Sequence, residues 1–147
     1  MSPSRVLGVN HIGLAPKDPA KARWFFTEAL GLSHLGDELV KEQETLTVMF
    51  ATTVSDTTPP SGQRLEVLVP SPDGAGPIAK FLEKKGSGVH HVALTVRGID
   101  ALLDALKAKG VRLIDERPRH GAHHTRIAFV HPESTGGLLV ELVEPQT

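Results

Sequence analysis

The 147-residue chain contains no cysteine. Disulfides, zinc–thiolate sites and cysteine nucleophiles are therefore excluded, while compartment is left open. It has almost no net charge: 16 Lys and Arg stand against 17 Asp and Glu. A broad basic face for nucleic acid and an acidic tail are both ruled out. Long apolar runs are missing too. The start, Met1-Ser2-Pro3-Ser4-Arg5, carries none, so neither a secretory signal nor a membrane span is expected, and a cytoplasmic location follows as the default. What is abundant is histidine, with eight residues.

The organisation is that of a duplication. Val9-Asn10-His11-Ile12-Gly13-Leu14-Ala15 reads as a strand carrying a histidine, and Val89-His90-His91-Val92-Ala93-Leu94-Thr95 repeats it 80 residues later. Leu65-Glu66-Val67-Leu68-Val69 closes the first copy with a glutamate-bearing strand, and Val140-Glu141-Leu142-Val143 closes the second 75 residues later. Asp18 and Pro19 start a helix, with Ala22, Phe25, Phe26, Ala29 and Leu30 on its apolar face and Gly31 at its end. Strands are predicted near 35–41, 45–51 and 65–69, with an exposed loop from Thr52 to Gln63. A short helix, Pro77–Lys85, precedes the second copy, which reads as strand 89–96, helix 99–109 capped by Gly110, and strands 111–115, 126–130 and 138–143. Glu116 to Thr125 reads as a loop. The fold class is α+β: two β-α-β-β-β modules, about 6–70 and 88–145, joined by a helical connection 71–87 and forming one cupped eight-stranded mixed sheet within a single domain.

The duplicated residues carry the chemistry. Strand side chains alternate faces, so a register that turns one His or Glu inward turns in its counterpart as well. Each glutamate sits in an apolar run, where a lone charge is expensive unless it pairs or binds a cation. The bland alternative is a hydrogen-bonded histidine and a solvated glutamate; four such residues in repeated order favour a metal site. His11, Glu66, His91 and Glu141 are the candidate ligands. Imidazole plus carboxylate without thiolate suits one divalent ion such as cobalt, manganese, nickel, iron or zinc.

With this frame the chain resembles the vicinal oxygen chelate superfamily. Within it, Gly88-Val89-His90-His91-Val92-Ala93-Leu94, Lys109–Glu116 and the tail from Phe129-Val130-His131-Pro132 through Gly136-Gly137-Leu138-Leu139-Val140-Glu141-Leu142 resemble the methylmalonyl-CoA epimerase family. The resemblance implies a metal-dependent isomerase that interconverts the C2 epimers of an acyl-CoA through an enolate, with Glu141 both a metal ligand and an acid–base group. It also implies a homodimer. Two positions depart from the family pattern. Thr47 replaces a glutamate found in some relatives, so the second proton carrier is unassigned among Glu42, Glu44, His120, His123 and a polarised water. Glu133 stands where relatives carry lysine. His131 is read as structural. His123-His124 is either a loop over the site or a solvated turn, and Lys80, Lys84 and Lys85 are either coenzyme contacts or a solvated helix face. A glyoxalase-type lyase acting on a glutathione hemithioacetal, or a non-catalytic small-ligand binding protein of the same fold, are the alternatives.

Overall fold

The computed structural model describes residues 3–52 and 63–147. Its strands are β1 (Arg5–Ala15), β2 (His34–Val40), β3 (Thr45–Ala51), β4 (Arg64–Pro70), β5 (Gly88–Arg97), β6 (Arg119–Gly121), β7 (Thr125–Val130) and β8 (Val140–Pro145). Helices α1 (Pro19–Trp24), α2 (Pro77–Lys85) and α3 (Ile99–Ala108) complete the described elements, with a π-helical segment after α1 and two short 3-10 turns. The strands form a mixed eight-stranded sheet in the order β2-β3-β4-β1-β5-β8-β7-β6. Contacts divide the chain into two compact units, one of residues 11–90 and one joining the segment that ends at Asn10 to His91–Thr147.

In the unit of residues 11–90, β1 runs parallel to β4, and β4 pairs antiparallel with β3, which pairs with β2. One face carries Val48, Phe50 and Val67 against Ala22 and Phe26 of the first helical segment. On the other, Ala15 and Leu68 pack on Ile78 of α2. Asp18 caps α1 as the sequence suggests, its carboxylate accepting the Lys21 amide at 3.1 Å. The expected helical face is only partly kept. From Phe25 to Ala29 the backbone is π-helical, with the Leu30 amide bonded to the Phe25 carbonyl. The wider turn rotates Phe25 and Leu30 out, leaving them 47% and 52% exposed, while Phe26 stays packed against Phe50 with ring centroids 5.5 Å apart. Most of the Thr52–Gln63 loop falls outside the described residues.

In the other unit, β5 runs parallel to β8, β8 pairs antiparallel with β7, and β7 with β6. The main cluster, Val96, Ile99, Leu103, Ala128, Val130 and Leu142, lies between α3 and one sheet face. Ala93, Ile127, Phe129 and Val143 cluster on the other. The sixth strand is not the expected 111–115 but Arg119–Gly121, inside the segment read as a loop. Residues 111–115 make a single bridge, Leu113 to Val130, and Asp115 then breaks the ladder by accepting the Phe129 amide on its side chain at 2.9 Å. Pro118, which has no N–H, precedes the new strand. Gly121 closes the hairpin because a Cβ there would lie 2.6 Å from an Ile127 methyl.

Helix α3 begins without a side-chain cap of its own; Glu144 on β8 supplies one from a distance, accepting the Gly98 amide at 2.6 Å and the Ile99 amide at 3.4 Å. At its first turn, Asp100 receives both ends of the Arg126 guanidinium at 2.8 and 3.0 Å, and the hydrogen bond holds the Asp100 carboxyl below the usual carboxylate range. Among the described residues no helix is long and apolar enough to cross a membrane. Replacing Glu144 with Ala is expected to lower stability by about 1–2 kcal/mol, read from urea unfolding, by exposing the α3 amides to an unfilled position.

Candidate metal centre

Within residues 11–90 the parallel register sets Gly13 opposite Glu66, so His11, two residues earlier on β1, shares its face with Glu66. The two side chains meet, with His11 Nδ1 at 3.1 Å from a Glu66 oxygen. The second unit repeats this register, with the contact made through the other ring nitrogen. Ala93 lies opposite Glu141, His91 is two residues before Ala93, and His91 Nε2 is 3.1 Å from a Glu141 oxygen. The side chains of all four residues are buried, with 5–8% exposure. Local sequence explains the placement, since strands rich in β-branched and apolar residues put every second side chain on one face.

A carboxylate withdrawn this far from water costs on the order of several kcal/mol unless it is compensated. Each imidazole provides a partner. His11, His91 and Glu141 also make a buried set of two nitrogens and one carboxylate, which fits a divalent metal ion. Glu66, the fourth expected ligand, is not part of that set; it meets His11 in the first pair.

The face around each pair is built differently. On the first unit, Met49 lies opposite Glu66 and Thr47 opposite Leu68, and both are buried on the His11 face. On the second, Phe129 lies opposite Glu141, and its ring meets the His91 imidazole edge-on with centroids 5.7 Å apart. Asn10 donates to Thr95 Oγ1 at 3.0 Å across β1 and β5.

Of the residues weighed for the second proton carrier, Glu42, Glu44 and His120 are not brought to these faces. Glu42 and Glu44 sit in the exposed turn before β3, with Glu44 in the left-handed region at φ 50°. His120 pairs with Arg126, whose side chain reaches Asp100 on α3, so it lies on the helix-bearing face. His123 and His124 occupy the exposed β6–β7 turn, both with positive φ. Their φ of 57° and 53° suits a tight hairpin. One carboxylate was missed. Glu38 on β2 is the register partner of Thr47, so it shares the face of His11 and Glu66. Its neighbour Asp37 points the other way, to Arg23 of α1 at 3.6 Å. Strict alternation along β2 was the available signal.

The expectation that His131 is structural is met. His131 Nδ1 accepts the Glu133 amide at 3.0 Å and caps the 3-10 turn Pro132–Ser134. Glu133 is exposed and ion-paired with Arg112. Lys80, Lys84 and Lys85 are exposed on α2, and Trp24 is exposed on α1.

A family model for the Glyoxalase/Bleomycin resistance protein/Dioxygenase superfamily matches residues 10–129, and the chain belongs to that superfamily. Within it, the chain resembles methylmalonyl-CoA epimerases. It is 34% identical over 135 residues to mitochondrial methylmalonyl-CoA epimerase of Bos taurus, covering 91% of this chain and 72% of the relative. A solved methylmalonyl-CoA epimerase in complex with methylmalonyl-CoA and NH4+ matches with TM-score 0.86 and 31% identity, covering 97% of each chain. An uncharacterized Bacillus subtilis protein, YqjC, is 38% identical over 138 residues, covering 94% of this chain and 92% of that one.

His91→Ala, assayed on protein carrying no histidine tag, is expected to lose bound divalent metal by elemental analysis while keeping the far-ultraviolet circular dichroism of the parent. A metal content unchanged from the parent contradicts the ligand assignment.

Proposed function

We propose that this chain is an isomerase that interconverts the C2 epimers of methylmalonyl-CoA, with one divalent ion held by His11, Glu66, His91 and Glu141. The single observation that carries the reading is the repetition of one buried His–Glu pair, at one register, in two modules of a chain similar to epimerases over most of its length. A bound divalent ion would supply Lewis-acid stabilisation of the enolate charge that develops when the C2 proton leaves.

The chain's own residues carry the proton transfers. Glu141 takes or returns the C2 proton on one side of the substrate, its geometry fixed by His91 at 3.1 Å. Epimerisation requires a donor on the other side. We assign this to Glu38, because Thr47 cannot serve: a threonine hydroxyl is too weak an acid to act as a free base at neutral pH. Glu38 restores a carboxylate one strand over on the same sheet face. Buried Met49 and Phe129 line the two faces with apolar surface, which strengthens electrostatic interactions made beside them. The family resemblance adds a homodimer.

The direct assay is deuterium incorporation at C2 of methylmalonyl-CoA in heavy water, with and without chelator. Incorporation that stops with chelator and resumes on adding metal is expected; no incorporation at any metal loading, with turnover of a glutathione hemithioacetal instead, overturns the reading in favour of a lyase. In a second experiment, Glu38→Gln is expected to slow epimerisation by about 10²–10⁴-fold. It should still exchange the C2 proton of one epimer with solvent. An epimerisation rate equal to the parent's removes Glu38 from the mechanism.

A further inference from the structure

Arg119 occupies a position that neither the repeat nor the metal-ligand frame accounts for. It is the β6 partner of Ile127, which lies on the same face as Phe129 and Glu141. Its guanidinium carbon stands 5.7 Å from the centroid of the Phe129 ring, and the same ring touches His91. The cation is thus one aromatic ring away from a candidate metal ligand. It is held from behind. Asp115 accepts Arg119 Nε at 3.0 Å with one oxygen and the Phe129 amide with the other. Asp115 is its only hydrogen-bond partner among the described residues, and the side chain keeps 31% of its exposure.

This arrangement leaves the two terminal nitrogens as an open fork. A guanidinium anchored through Nε and placed over an aromatic ring presents that fork in a restricted orientation, which matches the two oxygens of a carboxylate. Its place over the Phe129 ring and its pairing with Asp115 also reduce the side-chain entropy lost when a ligand arrives.

We propose that Arg119 binds the free carboxylate of the substrate's acyl group and so selects dicarboxylic acyl-CoA thioesters over monocarboxylic ones. The proposal rests on the acyl-CoA reading above. Proximity to His91 decides which anionic group is meant. The acyl carboxylate is two bonds from the thioester carbon, whereas the coenzyme phosphates lie a full pantetheine arm away.

The test is isothermal titration of the metal-loaded protein with methylmalonyl-CoA and with propionyl-CoA, which differs by lacking the carboxylate. In Arg119→Gln, affinity for methylmalonyl-CoA is expected to fall by about 10- to 100-fold, while affinity for propionyl-CoA stays at the parent value. Arg119→Lys, which keeps the charge but loses the fork, is expected to fall between parent and Gln variant. Equal losses for both ligands would assign Arg119 to the coenzyme and overturn the proposal, as would no loss for either. A parent protein that binds propionyl-CoA but not methylmalonyl-CoA would also overturn it. A parent that binds neither thioester defeats the acyl-CoA reading itself, a result separate from any difference between variants.

Discussion

A carboxylate inside a protein has to be compensated, and in this molecule that requirement is met twice in the same way. Glu66 and Glu141 are buried among apolar strand residues, each 3.1 Å from an imidazole on the parallel neighbouring strand. The pairing depends on register. A slip of one residue between β1 and β4, or between β5 and β8, would turn the glutamate to the face that packs under α1 or α3 and leave the histidine without it. The apolar packing around each pair is what holds that register: Val48, Phe50 and Val67 under α1 in one unit, Val96, Ala128 and Leu142 under α3 in the other. Stability and chemistry are therefore linked at the strand pairing itself.

Duplication preserves the buried His–Glu pair and lets the surrounding face diverge. Counting from the His–Glu pairs, Met49 corresponds to Phe129, Thr47 to Ile127, and Glu38 to Arg119. One module thus brings a carboxylate to the outer strand of its site-bearing face, and the other brings a guanidinium. A symmetric pair of modules has no means of treating the two ends of an asymmetric acyl group differently. On the proposed reading, divergence at these positions would provide it, with Glu38 as the proton-transfer group on one module and Arg119 as the anion-binding group on the other.

The repeat, the four paired residues, the Asp18 cap and most of the strands were legible in the sequence because each depends on local pattern: alternation, spacing, or a capping residue beside its helix. The failures share a cause. Residues 111–115 look like a strand, yet Asp115 replaces a backbone partner of Phe129 with its side chain and moves the edge pairing to Arg119–Gly121. Phe25 fits the apolar spacing of an α-helix, yet a π-helical turn rotates it outward. Glu38 and Arg119 gain meaning only from the strands they lie beside, and Glu144 caps a helix that begins 45 residues before it. Local pattern contains no record of these long-range partners.

The central claim is that two His–Glu pairs act together on one ion. Anomalous diffraction from crystals of the metal-loaded protein, collected at the absorption edge of the bound metal, tests it directly. The account predicts one site per chain, with both imidazoles and both carboxylates of His11, Glu66, His91 and Glu141 at about 2.0–2.2 Å from the ion. Two separate ions, one on each His–Glu pair, or an ion bound by other residues, would contradict it.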